Sequence, residues 1–150
     1  MSSQRGRLGS KKGSALIEFA LSFSLLFLIL SGIFEYGYFC WIYNGLESSL
    51  RDAAALAARL DYDGYGNGAA FTSSLKNMVV FGSPDGGTAP VVPNLNTANV
   101  NVTVRKDAAG IPQAVTVAIT NFTVNTVFKI RTINKPFVTT QYFGGYKIQP

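Results

Sequence analysis

An uncharged apolar run over residues 19–34 constrains this chain more than any other feature. Sixteen residues of helix span about 24 Å. The apolar character continues past Glu35 to Tyr43, and 25 residues of helix span about 37 Å. The hydrocarbon core of a bilayer is about 30 Å thick, and a buried core helix of this length would be unusual in a 150-residue soluble protein. The sequence therefore predicts one membrane-spanning helix over residues 14–43.

The residues on either side of this run predict its orientation. Four basic residues and no acids precede Gly13, and basic flanks stay on the cytoplasmic side of a membrane. Aromatic residues gather at the other end, as in a belt at the outer interface. The basic residues are Arg5, Arg7, Lys11 and Lys12, and the aromatic belt consists of Phe34, Tyr36, Tyr38, Phe39, Trp41 and Tyr43. We expect residues 1–13 to be cytoplasmic and the C-terminal part of the chain to be extracytoplasmic.

Composition excludes several classes of function. The net charge is +5, but only nine basic residues against eight acids remain beyond Gly13, so a nucleic-acid partner is not expected. The chain has no histidine and a single cysteine, Cys40, which removes histidine triads, histidine metal sites and CxxC motifs. A Ser or Thr nucleophile would lack a histidine base. We expect no enzymatic activity, cofactor or metal, and whether Cys40 forms a disulfide is left open.

The junction between the basic leader and the apolar run has an unusual form. Gly13 ends the leader, and Glu18 is a single carboxylate five residues later, at the start of the apolar segment. A secretory signal peptide has a shorter apolar region followed by small residues, whereas here the small residue precedes the run. A charge in a membrane-length segment is costly, so Glu18 requires a physical reason.

At this junction the chain resembles a known family. The run GSALIEFAL at 13–21 is similar to the prepilin-peptidase site, or class III signal peptide, of type IV pilin-like proteins. The closest resemblance is to the TadE-like minor pseudopilins of the tight-adherence (Tad/Flp) pilus system. GIFEYG at 32–37 resembles the family's second acidic signature, which contains Glu35, and LRDAAALAAR at 50–59 resembles its Ala- and Arg-rich helix. Many relatives have a proline early in the apolar run, where this chain has FSL at 23–25.

The resemblance implies a processing and assembly mechanism. A prepilin peptidase would cut between Gly13 and Ser14, and Glu18 would then lie one helical turn from the new Ser14 amine. In such pilins this acid is thought to pair with a neighbouring subunit's amine. Glu18 can equally pair with the Ser14 amine of its own chain or be solvated at the headgroup boundary. For Glu35, both solvation at the outer interface and an assembly role are open. Implied partners are the peptidase, the inner-membrane assembly platform with its ATPase, the major Flp-type pilin and other minor pseudopilins.

The helix is expected to continue beyond the membrane as an amphipathic stalk over residues 44–60. Apolar residues recur there at steps of three or four, and glycines at 64, 66 and 68 invite helix termination. The stripe consists of Leu46, Leu50, Ala53, Ala57 and Leu60. Residues 61–72 loosely resemble a calcium loop, but Tyr65 and Thr72 occupy positions where an oxygen ligand and a bidentate Glu are needed. We favour a glycine-rich helix stop.

Residues 61–150 are predicted to form a small extracytoplasmic α/β head. A short helix is expected at 69–77, leading into 78–81, and an exposed Gly- and Pro-rich loop at 82–94. Apolar residues then recur at every second position at 100–104 and 115–119. Turn residues lie between these two stretches at 107–112, so the pattern predicts a hairpin. Further strands are expected at 122–130 and 137–143. One face of this antiparallel sheet can pack on the stalk's stripe.

These features together predict an α+β, pilin-like fold, with a long N-terminal helix and a small antiparallel head. The predicted function is a minor pseudopilin of the inner membrane that initiates or supports assembly of a Tad/Flp-type pilus. Polar and small residues that could mediate helix contacts in lipid are Ser22, Ser24, Ser31, Gly32 and Gly37. The alternative is an uncleaved, single-pass binding or adhesion module with a β-rich head. That alternative gives no reason for Gly13 followed by Glu18.

Overall fold

The computed structural model describes residues 8–60, 62, 68–108, 110, 112–126, 130–133 and 137–141. The chain divides into two compact units, Met1–Tyr38 and Phe39–Pro150, which are taken separately below. The fold is α+β, as expected, with a long apolar N-terminal helix and small antiparallel sheets. The predicted cytoplasmic residues 1–7 and the glycine-rich stretch at 63–67 lie outside the described residues.

The N-terminal unit consists of the first part of helix α1, Leu8–Ala57. Within the described residues the helix extends before Gly13, as far back as Leu8. Every side chain described from residue 13 to 30 is exposed, although most are apolar. A helix that is apolar all round belongs in a core or a membrane. Among the described helices, one is long and apolar enough to cross a membrane, the segment Gly13–Ala57.

The last part of α1 carries the helical core of the C-terminal unit. Its fully or nearly fully buried apolar residues recur at the predicted spacing, and one buried hydroxyl, that of Ser49, donates to the Leu46 carbonyl at 2.9 Å. The buried residues are Ile42, Leu46, Leu50, Ala53, Ala54 and Ala57. The helix ends at Ala57 rather than near residue 60. Its last turn tightens there, since the Arg59 and Leu60 amides both donate to the Leu56 carbonyl at 3.0 Å.

Helix α2, Ala69–Phe81, is longer than the sequence indicated. It includes residues 78–81, whose β-branched and aromatic side chains suggested an exit from the helix. Val79 and Val80 are buried with Phe71 and Leu75, so tertiary packing outweighs their strand propensity. The helix ends at Gly82, whose φ of 72° is a conformation that glycine adopts at little cost. The Gly82 amide donates to the Met78 carbonyl at 3.0 Å.

The predicted loop after α2 is largely correct, but it contributes to the core. The Val91 amide donates to the Val80 carbonyl at 2.8 Å, and Val92 and Leu95 are buried. A 3₁₀ turn, Thr97–Asn99, then leads into the sheet, and the Asn96 side chain accepts from the amides of Ala98 and Asn99. These bonds fix how the chain enters the first strand.

The predicted hairpin is confirmed. Strand β1, Val100–Lys106, pairs antiparallel with β2, Pro112–Ile119, in the register Val102↔Val117. In β2 the side chains of Val115, Val117 and Ile119 are fully buried, as the alternation required. Helix α2 lies against β1. Packing of the sheet on the α1 stripe stays a prediction.

The remaining strands differ from the predicted bounds. The single strand expected at 122–130 is wrong: β3, Phe122–Asn125, ends early and pairs with β4, Ile130–Ile133, as a separate two-stranded ribbon. Strand β5, Phe137–Gln141, lies within the expected stretch 137–143 and joins the first sheet in the order β1-β2-β5. The Thr116 and Thr139 hydroxyls lie 2.9 Å apart across β2 and β5.

Candidate assembly surface of the N-terminal helix

The predicted processing site lies within α1. Gly13 and Ser14 are both helical and exposed, and a Cβ added at Gly13 would meet nothing within 4 Å. The Lys11 and Lys12 side chains lie outside the described residues. The structure therefore places the Gly13–Ser14 bond on an open helical surface. Cleavage at this bond is a prediction that the structure leaves untested.

Glu18 lies one turn beyond Ser14 on the same helix. Its side chain is exposed, and it takes part in no ion pair with any side chain that the structure describes. Because residues at i and i+4 share a helix face, a Ser14 amine freed by cleavage would lie beside this carboxylate. The carboxylate is thus positioned to accept a charged hydrogen bond from its own or a neighbouring amine.

The second acid, Glu35, is partly buried near the other end of the uncharged run. It lies seventeen positions after Glu18, which corresponds to about 26 Å along the helix and about 100° around it. The two carboxylates therefore bracket a segment slightly shorter than the roughly 30 Å hydrocarbon core. They lie on different faces of the helix, so one straight partner helix cannot contact both acids along a single stripe.

The predicted small-residue contacts separate into two groups by helical position. Ser22 and Gly32 lie within about 40° of Glu18 around the axis. Ser24 and Ser31 instead lie within about 40° of Glu35. Gly37 lies on neither face. A Cβ at Gly32 or Gly37 would meet nothing within 4 Å, so both are open to close approach by another helix.

Ser24 lies in the FSL stretch, where the family resemblance led us to consider a proline kink. Its hydroxyl donates to the Ala20 carbonyl at 2.8 Å, which satisfies this polar group inside an apolar segment. The backbone from Leu8 to Ala57 is assigned as one continuous helix. A proline-type interruption is therefore absent from this described stretch.

An aromatic ladder that sequence analysis missed lies on the side of the helix away from Glu18. The rings of Phe19 and Phe23 stack at 6.0 Å between centroids, and those of Phe23 and Phe27 at 6.5 Å. The i, i+4 spacing was the signal that could have revealed it. Phe23 and Phe27 lie about 140–180° around the axis from Glu18. The aromatic rings thus lie on one side of the helix, whereas the Glu18 side combines Ser22 and Gly32 with the larger Leu25 and Ile29, which lie within about 20° of Glu18.

The aromatic belt also makes a contact that the sequence did not indicate. Phe39 stacks with Tyr43 at 6.4 Å, and the Arg131 guanidinium carbon lies 5.1 Å from the Phe39 ring centroid. Since 92 residues separate Phe39 from Arg131, no local pattern could have predicted this pair. Trp41 is 56% exposed and Cys40 is a partly buried free thiol.

The calcium-loop alternative gains no support from its described part. Thr72, the twelfth position of that loop, lies in α2, and its hydroxyl donates to the Gly68 carbonyl at 2.8 Å. The loop's other positions lie mostly outside the described residues. No group of three or more His, Cys, Asp or Glu side chains that could hold a metal occurs in the described part of the chain.

Comparison with known proteins gives one family. Residues 13–55 match the family described as TadE-like protein. Over this segment the chain is similar to the TadE-like family. The match begins at Gly13 and includes Glu18, Glu35 and the first half of the stalk's stripe, which confirms the resemblance predicted from the junction. No curated protein and no solved structure matches the chain. Residues 56–150, which include α2 and all five strands, lie outside the matched segment.

Proposed function

We propose that this chain is a minor pseudopilin of a Tad/Flp-type pilus, processed by a prepilin peptidase between Gly13 and Ser14. The observation that carries the proposal is the TadE-like match, which begins at Gly13 and includes Glu18. The family match supports a Tad pilus-associated protein. The specific role in initiating or supporting assembly rests on the exposed apolar helix and its bracketing acids.

The proposed mechanism starts with a helix held in the inner membrane, its N-terminus cytoplasmic and its head extracytoplasmic. Cleavage frees an amine at Ser14 beside Glu18. An ionised acid costs about 2.5–3.5 kcal/mol at the centre of a membrane helix on insertion scales, and less near the end of the apolar run, where Glu18 lies. A pair between Glu18 and a neighbouring subunit's amine offsets part of that cost only when the two helices are in the right register. The acid thereby selects the correct axial position during assembly.

The asymmetry of the helix supports a defined packing side. Ser22 and Gly32 accompany Glu18 on one side, while Phe23 and Phe27 lie on the opposite side. Lipid chains are as apolar as these aromatic rings, so helix association in a membrane depends on close packing and polar pairing rather than on hydrophobic drive. The Glu18 side offers a carboxylate for polar pairing and, at Ser22 and Gly32, room for close approach on either side of Leu25 and Ile29. The aromatic ladder would then face lipid.

The proposed role requires no catalysis by this chain. The catalytic groups for processing belong to the peptidase, and the energy for assembly comes from the ATPase acting through the assembly platform. Proposed partners are these components, the major pilin and other minor pseudopilins. The head, with helix α2 packed against β1, would present the subunit's surface outside the membrane.

The test is pilus assembly in cells that lack this chain and are complemented with variants. Glu18→Gln removes the charge while keeping nearly the same shape, so surface pili should be lost or strongly reduced at unchanged protein level. The matched control is Glu47→Gln, since Glu47 is on the same helix but forms an exposed pair with Arg51 at 2.6 Å. Such pairs contribute about 0.3–0.5 kcal/mol to helix stability, so the Glu47→Gln control should assemble pili normally. Normal piliation with Glu18→Gln would contradict the register role.

A further inference from the structure

An exposed stripe runs along the last part of α1, on the side away from the buried residues Leu46 and Leu50. Its five members follow one another at steps of three, four or seven positions, so they lie within about 60° of one another around the helix axis. All five are exposed, and all belong to the C-terminal unit. We call them the outer stripe: Trp41, Ser48, Asp52, Ala55 and Arg59.

The outer stripe carries one charge of each sign. Neither Asp52 nor Arg59 forms an ion pair with another residue that the structure describes, whereas the nearby Arg51 pairs with Glu47. Arg59 lies in the turn that follows the helix, where its amide donates to the Leu56 carbonyl at 3.0 Å. Seven positions separate Asp52 from Arg59, which corresponds to about 10.5 Å along the axis. Both charges therefore face one side and are available to opposite charges on another molecule.

The outer stripe is complementary to itself when a second copy is displaced by seven residues. A helix turns by about 700° over seven residues, so this displacement returns the stripe to within about 20° of the same side. In a parallel pair displaced in this way, Asp52 of one copy lies level with Arg59 of the other. Trp41 then lies level with Ser48, and Ser48 with Ala55. Opposite charges thus meet, and the indole meets a small side chain.

Two other arrangements of a second copy use the stripe less well. In a parallel pair without displacement, Asp52 meets Asp52 and Arg59 meets Arg59, so like charges oppose each other. An antiparallel pair centred on 55–56 would match the charges twice, but it would leave Trp41 opposite position 70, beyond the end of α1 at residue 57. Trp41 is 56% exposed, and tryptophan is enriched among the residues that dominate binding energy at interfaces. The displaced parallel pair is the arrangement that uses the whole stripe.

We propose that the outer stripe is a self-association surface, on which a second copy of this chain docks in parallel with a displacement of seven residues. The Arg59 guanidinium of one copy donates to the Asp52 carboxylate of the other, and the small side chains of Ser48 and Ala55 allow the helices to approach closely. This inference goes beyond the proposed function. It does not depend on cleavage after Gly13, so its failure would leave the processing proposal intact.

The test is disulfide cross-linking between two differently tagged copies of the full chain in cell membranes. One copy carries Ser48→Cys and the other Ala55→Cys, both in a Cys40→Ser background. The displaced pair predicts an efficient cross-link between positions 48 and 55 and little between identical positions. Cross-links at both 48–48 and 55–55 would indicate an undisplaced pair, and a cross-link at 55–55 alone an antiparallel pair. Either result, or no cross-link, overturns the proposal.

Charge reversal tests the ion pair separately. Asp52→Arg and Arg59→Asp should each lower the 48–55 cross-link about fivefold, because each brings like charges together. Combined in one chain, the two changes recreate an opposite-charge pair in the same register, so the cross-link should return. Arg105→Asp, at an exposed position of β1, is the control and should leave the cross-link unchanged. A loss that the combined variant does not reverse would overturn the pairing.

A photo-crosslinking residue at position 48 of the otherwise unaltered chain decides the question if the cysteine substitutions disturb folding. In the displaced pair, position 48 of one copy lies level with position 55 of the other and, in the reverse direction, position 41. Adducts near residue 41 or 55 of a second, differently tagged copy support the proposal. Adducts near residue 48 of that copy, adducts with another protein or with lipid, or no adduct overturn it.

Discussion

At the scale of single residues, Gly45 is a position of α1 with little room for a side chain. A Cβ at this position would lie 3.0 Å from Val92 Cγ2, and Val92 is buried. We predict that Gly45→Leu destabilises the C-terminal unit by about 1–3 kcal/mol through overpacking. Hydrogen exchange of the β2 amides in the full chain measures this effect. Gly37→Leu is the control, because nothing lies within 4 Å of its Cβ position and β2 protection should not change.

Gly110 lies in the hairpin turn, and a substitution there affects stability through the backbone conformation alone. Its φ is 83°, and a Cβ there would meet nothing within 4 Å, so a substitution encounters strain but no collision. Gly110→Ala should cost about 1–2 kcal/mol, because left-handed backbone is unfavourable for a residue with a Cβ. Asn tolerates this conformation better, so Gly110→Asn should recover much of the loss. Equal exchange rates in β1 and β2 for both variants and the native chain would contradict this account.

At the scale of elements, the stalk's stripe carries the largest expected effect on the head. Leu50 is fully buried in the C-terminal unit, and Leu50→Ala should lower the free energy of unfolding of that unit by about 2–5 kcal/mol. Leu28→Ala removes the same atoms from a side chain that is 70% exposed, so it should leave the unit's stability unchanged. Comparable losses from both variants, measured by exchange of the α2 and β2 amides, would show that the stripe is not a separate core.

The elements that sequence analysis predicted well are those determined by neighbouring residues. The β1–β2 hairpin follows from alternating valines and a local turn, and α1 follows from a continuous apolar run. One bound that was wrong depends on contacts elsewhere: Val79 and Val80 remain helical because they are buried among other elements. The end of β3 at Asn125 is local, since Asn125 pairs with Ile130 only five residues later, and the apolar pattern across 122–130 did not reveal this division.

The residues of the candidate site also differ in whether the local sequence could predict them. Gly13, Ser14, Glu18 and Glu35 are found from the local sequence, because their meaning depends on spacing along one helix. The contact between Phe39 and Arg131 joins residues that are distant in sequence, so only the fold reveals it. The Phe19–Phe23–Phe27 ladder was detectable at i, i+4 spacing, but a fully apolar helix offers little contrast to indicate which face matters.

At the scale of the whole molecule, the chain combines a TadE-like segment with a head that lies mostly outside the matched residues. Residues 13–55 supply the helix, both acids and much of the stalk's stripe, whereas residues beyond them supply α2 and the sheets. In the proposed function, residues 13–55 carry processing and anchoring, and the head carries the subunit's specific contacts. The mechanism depends on the Gly13–Ser14 bond being cut.

The most direct measurement is the intact mass of the membrane-extracted protein, expressed with and without its prepilin peptidase. The account predicts a peptidase-dependent loss of residues 1–13, and Gly13→Ala or a bulkier residue at position 13 should abolish it. A full-length mass in both strains, with the peptidase shown to be active on a control substrate, would contradict the account. That result would favour an uncleaved single-pass binding protein, and Glu18 would then need another explanation.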